Sequence, residues 1–384
     1  MQATALQSRI QAIDIIRGFA VFGILLVNIP DMVGNGLHYR FDLSGSDAII
    51  RLLYDLFIQT KFYTIFSFLF GLSFFLFMKR AEERGNKASS LFRRRLWILL
   101  GIGLIHLILL WFGDILHIYA AIGFLLFLFY KRKPRTLAVW GIVLIGLYTL
   151  ITAASNMLMI YDPELANGSL FKAVPNLGER WEYFLTQGIG NLILISFEVL
   201  GLFLIGLYAG KKQWFEHRER YNSKSVKRTQ WITLVLSLIL FIPILWHFVT
   251  KEQYDSNQVI FFIYLSGKSM AIFYICTLLR LIARLGERSF SSLAAVGRMA
   301  LTNYLMHTVL VFILYRWLWP GIGEAYWIGT ATAALIIVLQ LAASKLWLRY
   351  YYMGPIEWLW RAGTYGKFAP LRRKQEARSF YSSM

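Results

Sequence analysis

Apolar runs of roughly membrane-spanning length alternate with short polar segments along almost the whole chain. A helix needs about 20 apolar residues to cross the hydrocarbon core of a bilayer. Runs near that length extend from Ile15 to Asp31, Leu53 to Met78, Leu96 to Phe112, Ile115 to Tyr130 and Leu137 to Met159. They continue from Asn191 to Ala209, Trp231 to Val249, Val259 to Ile282, Ala300 to Leu318 and Ala325 to Leu346. In lipid each backbone polar group must be satisfied within its own segment or a closed barrel. The pattern therefore predicts an all-α, polytopic membrane helix bundle with about ten transmembrane helices.

Charge in the connections orients that bundle. The segments after the second, fourth, sixth, eighth and tenth runs are rich in Lys and Arg, from Lys79–Arg95 to the stretch beyond Arg349. The intervening connections, Gly34–Arg51, Gly113–Asp114, Tyr161–Gly190, Lys251–Gln258 and Trp319–Glu324, are poorer in base. Positive loops face the cytoplasm, so both termini are expected there. The expected division is a transmembrane domain over 1–348 and a basic, aromatic cytoplasmic tail over 349–384, held against the membrane by anionic lipid. The third and fourth runs form a tight antiparallel hairpin. The long outer connection Tyr161–Gly190 carries Trp181, Tyr183 and Phe184 and is expected to lie along the interface.

Composition agrees. Of 384 residues 57% are hydrophobic and only 16% charged, against about 25% charged in soluble domains; the mean hydropathy is +0.53. A net charge of +19 would suggest nucleic acid in a soluble protein, but here the basic residues sit in the short loops, and no nucleic-acid partner is expected. The lone Cys276 excludes an intramolecular disulfide and a cysteine-based metal site. The polar start, Met1–Ala12, leads into a run with no cleavage signal, so it reads as a retained first helix.

Ionisable residues inside spans are the candidate chemistry, because charge in hydrocarbon is costly. Arg17 and Asn28 share a face of the first span. They either snorkel and bond a neighbouring helix or line a pore. Lys61, preceded by Asp55 and Gln59, lies about two turns inside the second. His106 lies in the outer half of the third. Asp114 and His117 stand at the hairpin tip, where the carboxylate is placed to set a histidine's tautomer. Glu198 and Lys268, deep in the sixth and eighth spans, are placed to neutralise each other. Asn303 and His307 are four apart and face one way. No metal motif, P-loop, GxSxG or dinucleotide fingerprint is present, and no metal is expected. Each histidine has a plain alternative as a satisfied packing residue, and the Arg93, Arg94, Arg95 run has one as a topological signal.

Four ordered stretches resemble the YeiB family, which carries the domain of unknown function 418. They are Ile13-Asp14-Ile15-Ile16-Arg17-Gly18-Phe19-Ala20 leading to Val27-Asn28, Lys61 to Gly71, Gly113 to Ala120, and Gly297 to Tyr304. The resemblance covers nearly the whole chain. It implies a multi-pass protein of the bacterial cytoplasmic membrane, in a family sometimes described as transporters. The family in turn looks like a remote relative of heparan-α-glucosaminide N-acetyltransferase and the acyltransferase-three family. From the first, Asp14, Arg17, Gly18, Val27 and Asn28 match a first-span motif, and His38 stands at a similar distance beyond. Against the second there is a departure: Asn28 stands where a catalytic histidine belongs, leaving His38 as the base the resemblance supports.

Three readings stand. In the first, an acyl-CoA, acetyl-CoA above all, enters from the cytoplasm and its phosphates meet Arg17, Arg93, Arg94 and Arg95. His38 then acts as general base and Asn28 as an oxyanion donor, toward an extracytoplasmic or lipid acceptor. In the second, a transporter or flippase uses Glu198, Lys268 and His307 as a midplane set, although no inverted repeat is evident. In the third, the bundle is a scaffold that binds membrane lipid. A homodimer follows by analogy alone.

Overall fold

The computed structural model describes residues 10–32, 43–161, 178, 189–318 and 326–373. Among these the architecture is all-helical, and the extended pairings are two isolated bridges, Leu43 with Tyr254 and Tyr351 with Arg372. The longer helices in chain order are α1 (Gln11–Met32), α2 (Gly45–Phe57), α3 (Lys61–Glu83), α4 (Ala88–Ile105), α5 (Leu116–Gly123), α6 (Leu126–Tyr130) and α7 (Pro134–Tyr161). They continue with α8 (Ile189–Lys211), α9 (Lys224–Thr250), α10 (Ile260–Leu285), α11 (Ser291–Arg298), α12 (Ala300–Ile313), α13 (Tyr326–Tyr350) and α14 (Pro355–Tyr365). π-turns extend α4 through His106–Leu110 and α12 through Leu314–Leu318.

Among the described residues, seven helical stretches are long and apolar enough to cross a bilayer, and an eighth is the pair α11–α12, bent by 72°. The chain is a multi-pass membrane protein. The difference from the expected ten lies in the third and fourth runs. The first leg is helical from Ala88 to Leu110 but carries Arg93, Arg94 and Arg95 in its lower half, and the second, from Leu116 to Tyr130, rises only about 22 Å. The hydrocarbon core is about 30 Å thick. The second leg is also interrupted between α5 and α6. The two legs pack as a hairpin, with Gly103 of the first against His117 of the second.

The second expected run is also broken. Helix α2 ends at Phe57, and α3 begins at Lys61 after a turn in which Thr60 takes a left-handed φ of 68°. That conformation is unfavourable for a β-branched residue. It is held by the Thr60 hydroxyl, which donates to the Ile263 carbonyl at 3.0 Å. Lys61 therefore opens a helix at a break and does not lie two turns inside one.

The basic connections meet at one end of the bundle. Arg218 reaches the Ile282 carbonyl, Gln11 the Glu287 carbonyl, Arg94 the Gly363 carbonyl and Lys211 the Arg132 carbonyl. The opposite end joins Leu43 to Tyr254, Asp47 to Tyr326 and Asn156 to Asn257. The tail folds back on the basic end: α14 packs on α4 and α12 through Trp360 and Glu357.

Burial ranks the helices. The apolar window of α1 is 72% buried and that of α7 only 11%, so α1 is central and α7 presents its apolar side chains to lipid. Helices α3 and α8 approach backbone to backbone. A Cβ on Gly206 would fall 2.0 Å from the Phe68 carbonyl oxygen, and one on Gly71 within 1.9 Å of that of Phe203. Small residues permit such contact where lipid removes the hydrophobic drive for association.

Gly206→Val is expected to force α3 and α8 apart and cost about 1–3 kcal/mol or more, measured by thermal unfolding in detergent. Gly101→Ala, with no heavy atom within 4 Å of its added methyl, should leave the melting temperature unchanged. Equal behaviour of the two variants would refute the close-packed seam.

Candidate functional site

The hairpin turn carries a buried cluster built on Asp114. The His117 backbone N–H donates to its Oδ2 at 3.1 Å, so the carboxylate caps the first turn of α5. The same oxygen lies 3.1 Å from His117 Nδ1, while Oδ1 lies 2.9 Å from His106 Nδ1 and accepts from the Tyr304 hydroxyl at 3.2 Å. The other nitrogen of His106, Nε2, lies 2.9 Å from the Thr308 hydroxyl. With Asp114 ionised, His106 donates through Nδ1–H, and Nε2 is the acceptor of the Thr308 proton. His106, Asp114 and Thr308 are all buried. The result is a hydroxyl–imidazole–carboxylate chain, the arrangement that lets an imidazole take a proton from a hydroxyl.

Below this cluster, toward the basic end, polar contacts continue along α3. Ser67 bonds the Tyr119 hydroxyl at 2.6 Å, and Tyr119 also donates to the Tyr63 carbonyl at 3.2 Å. Nearer the basic end, Ser73 accepts from Arg17 at 3.0 Å. Arg17 also pairs with Asp14 at 2.9 Å.

Glu198 and Lys268 do pair directly. The Tyr63 hydroxyl donates to Glu198 Oε2 at 2.5 Å, and the Lys268 ammonium lies 4.9 Å from the Tyr264 ring and 6.0 Å from the Tyr148 ring. Glu198 is fully buried, and the Lys268 side chain retains 15% exposure. His307 does not join this pair. Its Nε2 lies 3.0 Å from Gln340 Oε1, and Gln340 in turn donates to the Asn303 carbonyl. Asn303 also bonds Ser344, so both residues face α13, as their spacing predicts.

Lys61 is fully buried and donates to the Asp55 carbonyl at 2.6 Å and to Ser266 at 3.4 Å. It belongs to a separate knot in which Asp55 accepts from Tyr254 and Ser256 and pairs with Arg51, itself bonded to Tyr326. The arginine run does not present one face. Arg93 is exposed, Arg94 holds the Gly363 carbonyl, and Arg95 stacks on Trp360 at 3.6 Å. Successive helical residues point about 100° apart, which is why. Asn28 is half-buried and makes no side-chain hydrogen bond among the described residues. His38 lies outside the described residues.

Comparison with known proteins places this architecture. Residues 209–367 match the family described as "Protein of unknown function (DUF418)". The chain is 32% identical to uncharacterized protein YxaH of Bacillus subtilis, over 97% of this chain and 98% of that one. It is likewise 32% identical to an uncharacterized 39.9 kDa protein from the amylase 3' region of Bacillus acidopullulyticus, over 98% of this chain and all of the other. Uncharacterized protein YeiB of Escherichia coli is 26% identical over 91% of this chain and 94% of its own length. The chain belongs to the YeiB family. Within the DUF418 match lie Lys268, Tyr304, His307 and Thr308; Asp114, His106 and His117 lie before it.

Sequence reasoning missed Tyr304, Thr308, Gln340 and Glu357. Tyr304 and Thr308 are four apart on the helix that carries Asn303 and His307, and that spacing could have signalled them. Glu357 had no such signal. Its carboxylate accepts from the Leu301 and Thr302 backbone N–H groups at 2.7 and 3.0 Å and so caps α12 from a distance of 55 residues. Burial pushes this carboxyl above the usual range, against the pull of the Thr302 bonds.

The Glu198–Lys268 pair makes a double-mutant cycle informative. Glu198→Gln or Lys268→Met alone should destabilise by about 3–5 kcal/mol, and the double variant should recover much of that loss. Chemical or thermal unfolding of the four proteins reads the coupling; strictly additive losses would show that the two charges do not depend on each other.

Proposed function

We propose that this YeiB-family protein is a membrane acyltransferase of the bacterial cytoplasmic membrane, with both termini in the cytoplasm. It moves an acyl group from a cytoplasmic acyl-CoA, acetyl-CoA in the simplest case, to a hydroxyl or amine at the outer side or in the lipid. The observation that carries this reading is the Thr308–His106–Asp114 chain at the hairpin turn. It is a proton-accepting arrangement inside an apolar bundle, where water is scarce and competing hydrolysis is suppressed.

In this reading His106 is the general base and Asp114 fixes its tautomer. The Thr308 hydroxyl occupies the place of the acceptor's. The acceptor O–H or N–H gives its proton to His106 Nε2 as its oxygen or nitrogen bonds the thioester carbonyl carbon. Collapse of the tetrahedral intermediate breaks the carbon–sulfur bond, and the leaving thiolate takes the proton back from His106. Asn28 has an amide free of described partners to donate to the oxyanion. His38 remains the alternative base. Arg17 and Arg93 are the cations suited to the donor's phosphates, since Arg94 and Arg95 are engaged with the tail.

Transport is the second reading. Its observation is the Glu198–Lys268 pair among three tyrosines, a charge pair within the bundle whose lysine side chain keeps 15% exposure.

Thiol release from acetyl-CoA by the protein in lipid nanodiscs tests the proposal, with water as default acceptor and membrane lipid extract as a second. His106→Ala should lower the rate about 10²–10⁴-fold, and Asp114→Asn should lower it strongly as well. Thr308→Ala should retain activity. No thiol release by the wild type, with or without extract, would sink the acyltransferase reading. Loss in His38→Ala with His106→Ala unaffected would move the base to the loop.

A further inference from the structure

The basic end of the bundle holds a cavity of about 300 Å³ between the first turn of α1, helix α11 and the end of α13. Its walls include Asp14, Ser291, Arg298, Lys345, Leu348 and Arg349. The gap has a structural cause. The bend at Met299 turns α11 away from the line of α12. At the bend, Gly297 comes so close to α1 that an added Cβ would fall 1.8 Å from the Asp14 carbonyl oxygen. Helix α11 is thereby pinned across α1, leaving a recess beside the last turns of α13.

The charges in this recess are unbalanced. Arg298, Lys345 and Arg349 supply three cations against one carboxylate, and Asp14 is bonded to Arg17 at 2.9 Å. Lys345 and Arg349 are four apart on α13 and share a face; like charges at that spacing repel. Neither has an ion-pair or hydrogen-bond partner among the described residues. A phosphate entering the recess relieves that repulsion and meets two side-chain donor types, guanidinium and ammonium. Leu348, Ala294 and Ala295 give it an apolar floor. Trp347 and Tyr351, which flank Leu348 and Arg349 in the chain, stack on each other, and such aromatic residues collect at the headgroup layer. The Lys345 and Arg349 side chains are exposed, so topology alone explains cations at this end; it does not explain the recess lined by Leu348, Ala294 and Ala295 that they border.

We propose that this cavity binds a phosphate-bearing ligand, with the phosphate diester of an anionic phospholipid headgroup as the source its apolar lining favours. Lys345 and Arg349 hold the phosphate, Ser291 is placed at the recess wall, and the glycerol and upper acyl chain rest on Leu348. The inference does not depend on acyl transfer.

The test uses the full-length protein in detergent, with thermal unfolding followed against added phosphatidylglycerol, phosphatidylcholine or inorganic phosphate. Phosphatidylglycerol should raise the melting temperature and phosphatidylcholine should not. In Lys345→Gln/Arg349→Gln the apparent affinity for phosphatidylglycerol should fall about tenfold or more. The charge-matched control Arg84→Gln/Lys87→Gln, at exposed positions in another basic connection, should keep the wild-type response. Stabilisation by inorganic phosphate alone, lost in the α13 double variant, would support the site and assign it to a soluble phosphate. Equal phosphatidylglycerol responses in both double variants, or no response to either phosphate source in the wild type, would overturn it.

Discussion

A helical hairpin packed in an apolar bundle has to satisfy the polar groups of its own turn. The segment between α4 and α5 lies outside regular helix, and Asp114 is what closes it. One carboxylate accepts from the backbone of the next helix, from a tyrosine on α12, and faces two imidazoles. A charge at this position would be costly alone; surrounded by four polar groups it becomes the pin that fixes the hairpin to α12. The same bonds that complete the fold orient His106, so structure and candidate chemistry share one interaction.

That pin sits in a larger pattern. The buried ionisable groups are gathered into separate knots: Arg51 with Asp55 and Lys61, Glu198 with Lys268, and His106 with Asp114 and His117. Each knot ties in an element distant in sequence, through Tyr254 and Ser256 on Asp55, Lys268 on Glu198 and Tyr304 on Asp114. Buried ion pairs contribute little net stability compared with apolar packing of the same volume. Their retention at three positions of a lipid-embedded bundle fits function better than it fits stability, and this is the physical reason to look for activity here at all.

Much of the bundle was legible in the apolar runs, because a run of span length has few alternatives in lipid. The runs beginning near Ile15, Leu137 and Val259 became helices with ends shifted by a few residues, and the run from Trp231 gained two turns at its start, from Lys224. Charge alternation also did its work, since the basic connections do meet at one end. It could not fix the number of spans, because removing two crossings leaves the parity downstream unchanged. Asp114 beside His117 was legible from adjacency, and the Glu198–Lys268 pair from matched depth. The partners Thr308 and Tyr304 were not, because some 190–200 residues separate them from His106 and Asp114, and such contacts are written in packing rather than spacing.

The C-terminal segment ties these levels together. Glu357 caps α12, the helix that carries Tyr304 and Thr308, while Trp360 donates to the Arg95 carbonyl and its ring stacks on the Arg95 guanidinium at the base of α4, the helix that carries His106. One short helix at the basic end thus holds both legs of the hydroxyl–imidazole pair. A displacement of α14 would free the N-terminus of α12 from its carboxylate and leave the Leu301 and Thr302 backbone N–H groups without their acceptor. It would also remove the cation–aromatic contact that steadies α4. Both losses act on the spacing between His106 and Thr308, a hydrogen bond of 2.9 Å. The arginine run, first read as a donor site, is thereby better understood as the seat of the helix that holds the site together, with Arg93 the member left to face solvent.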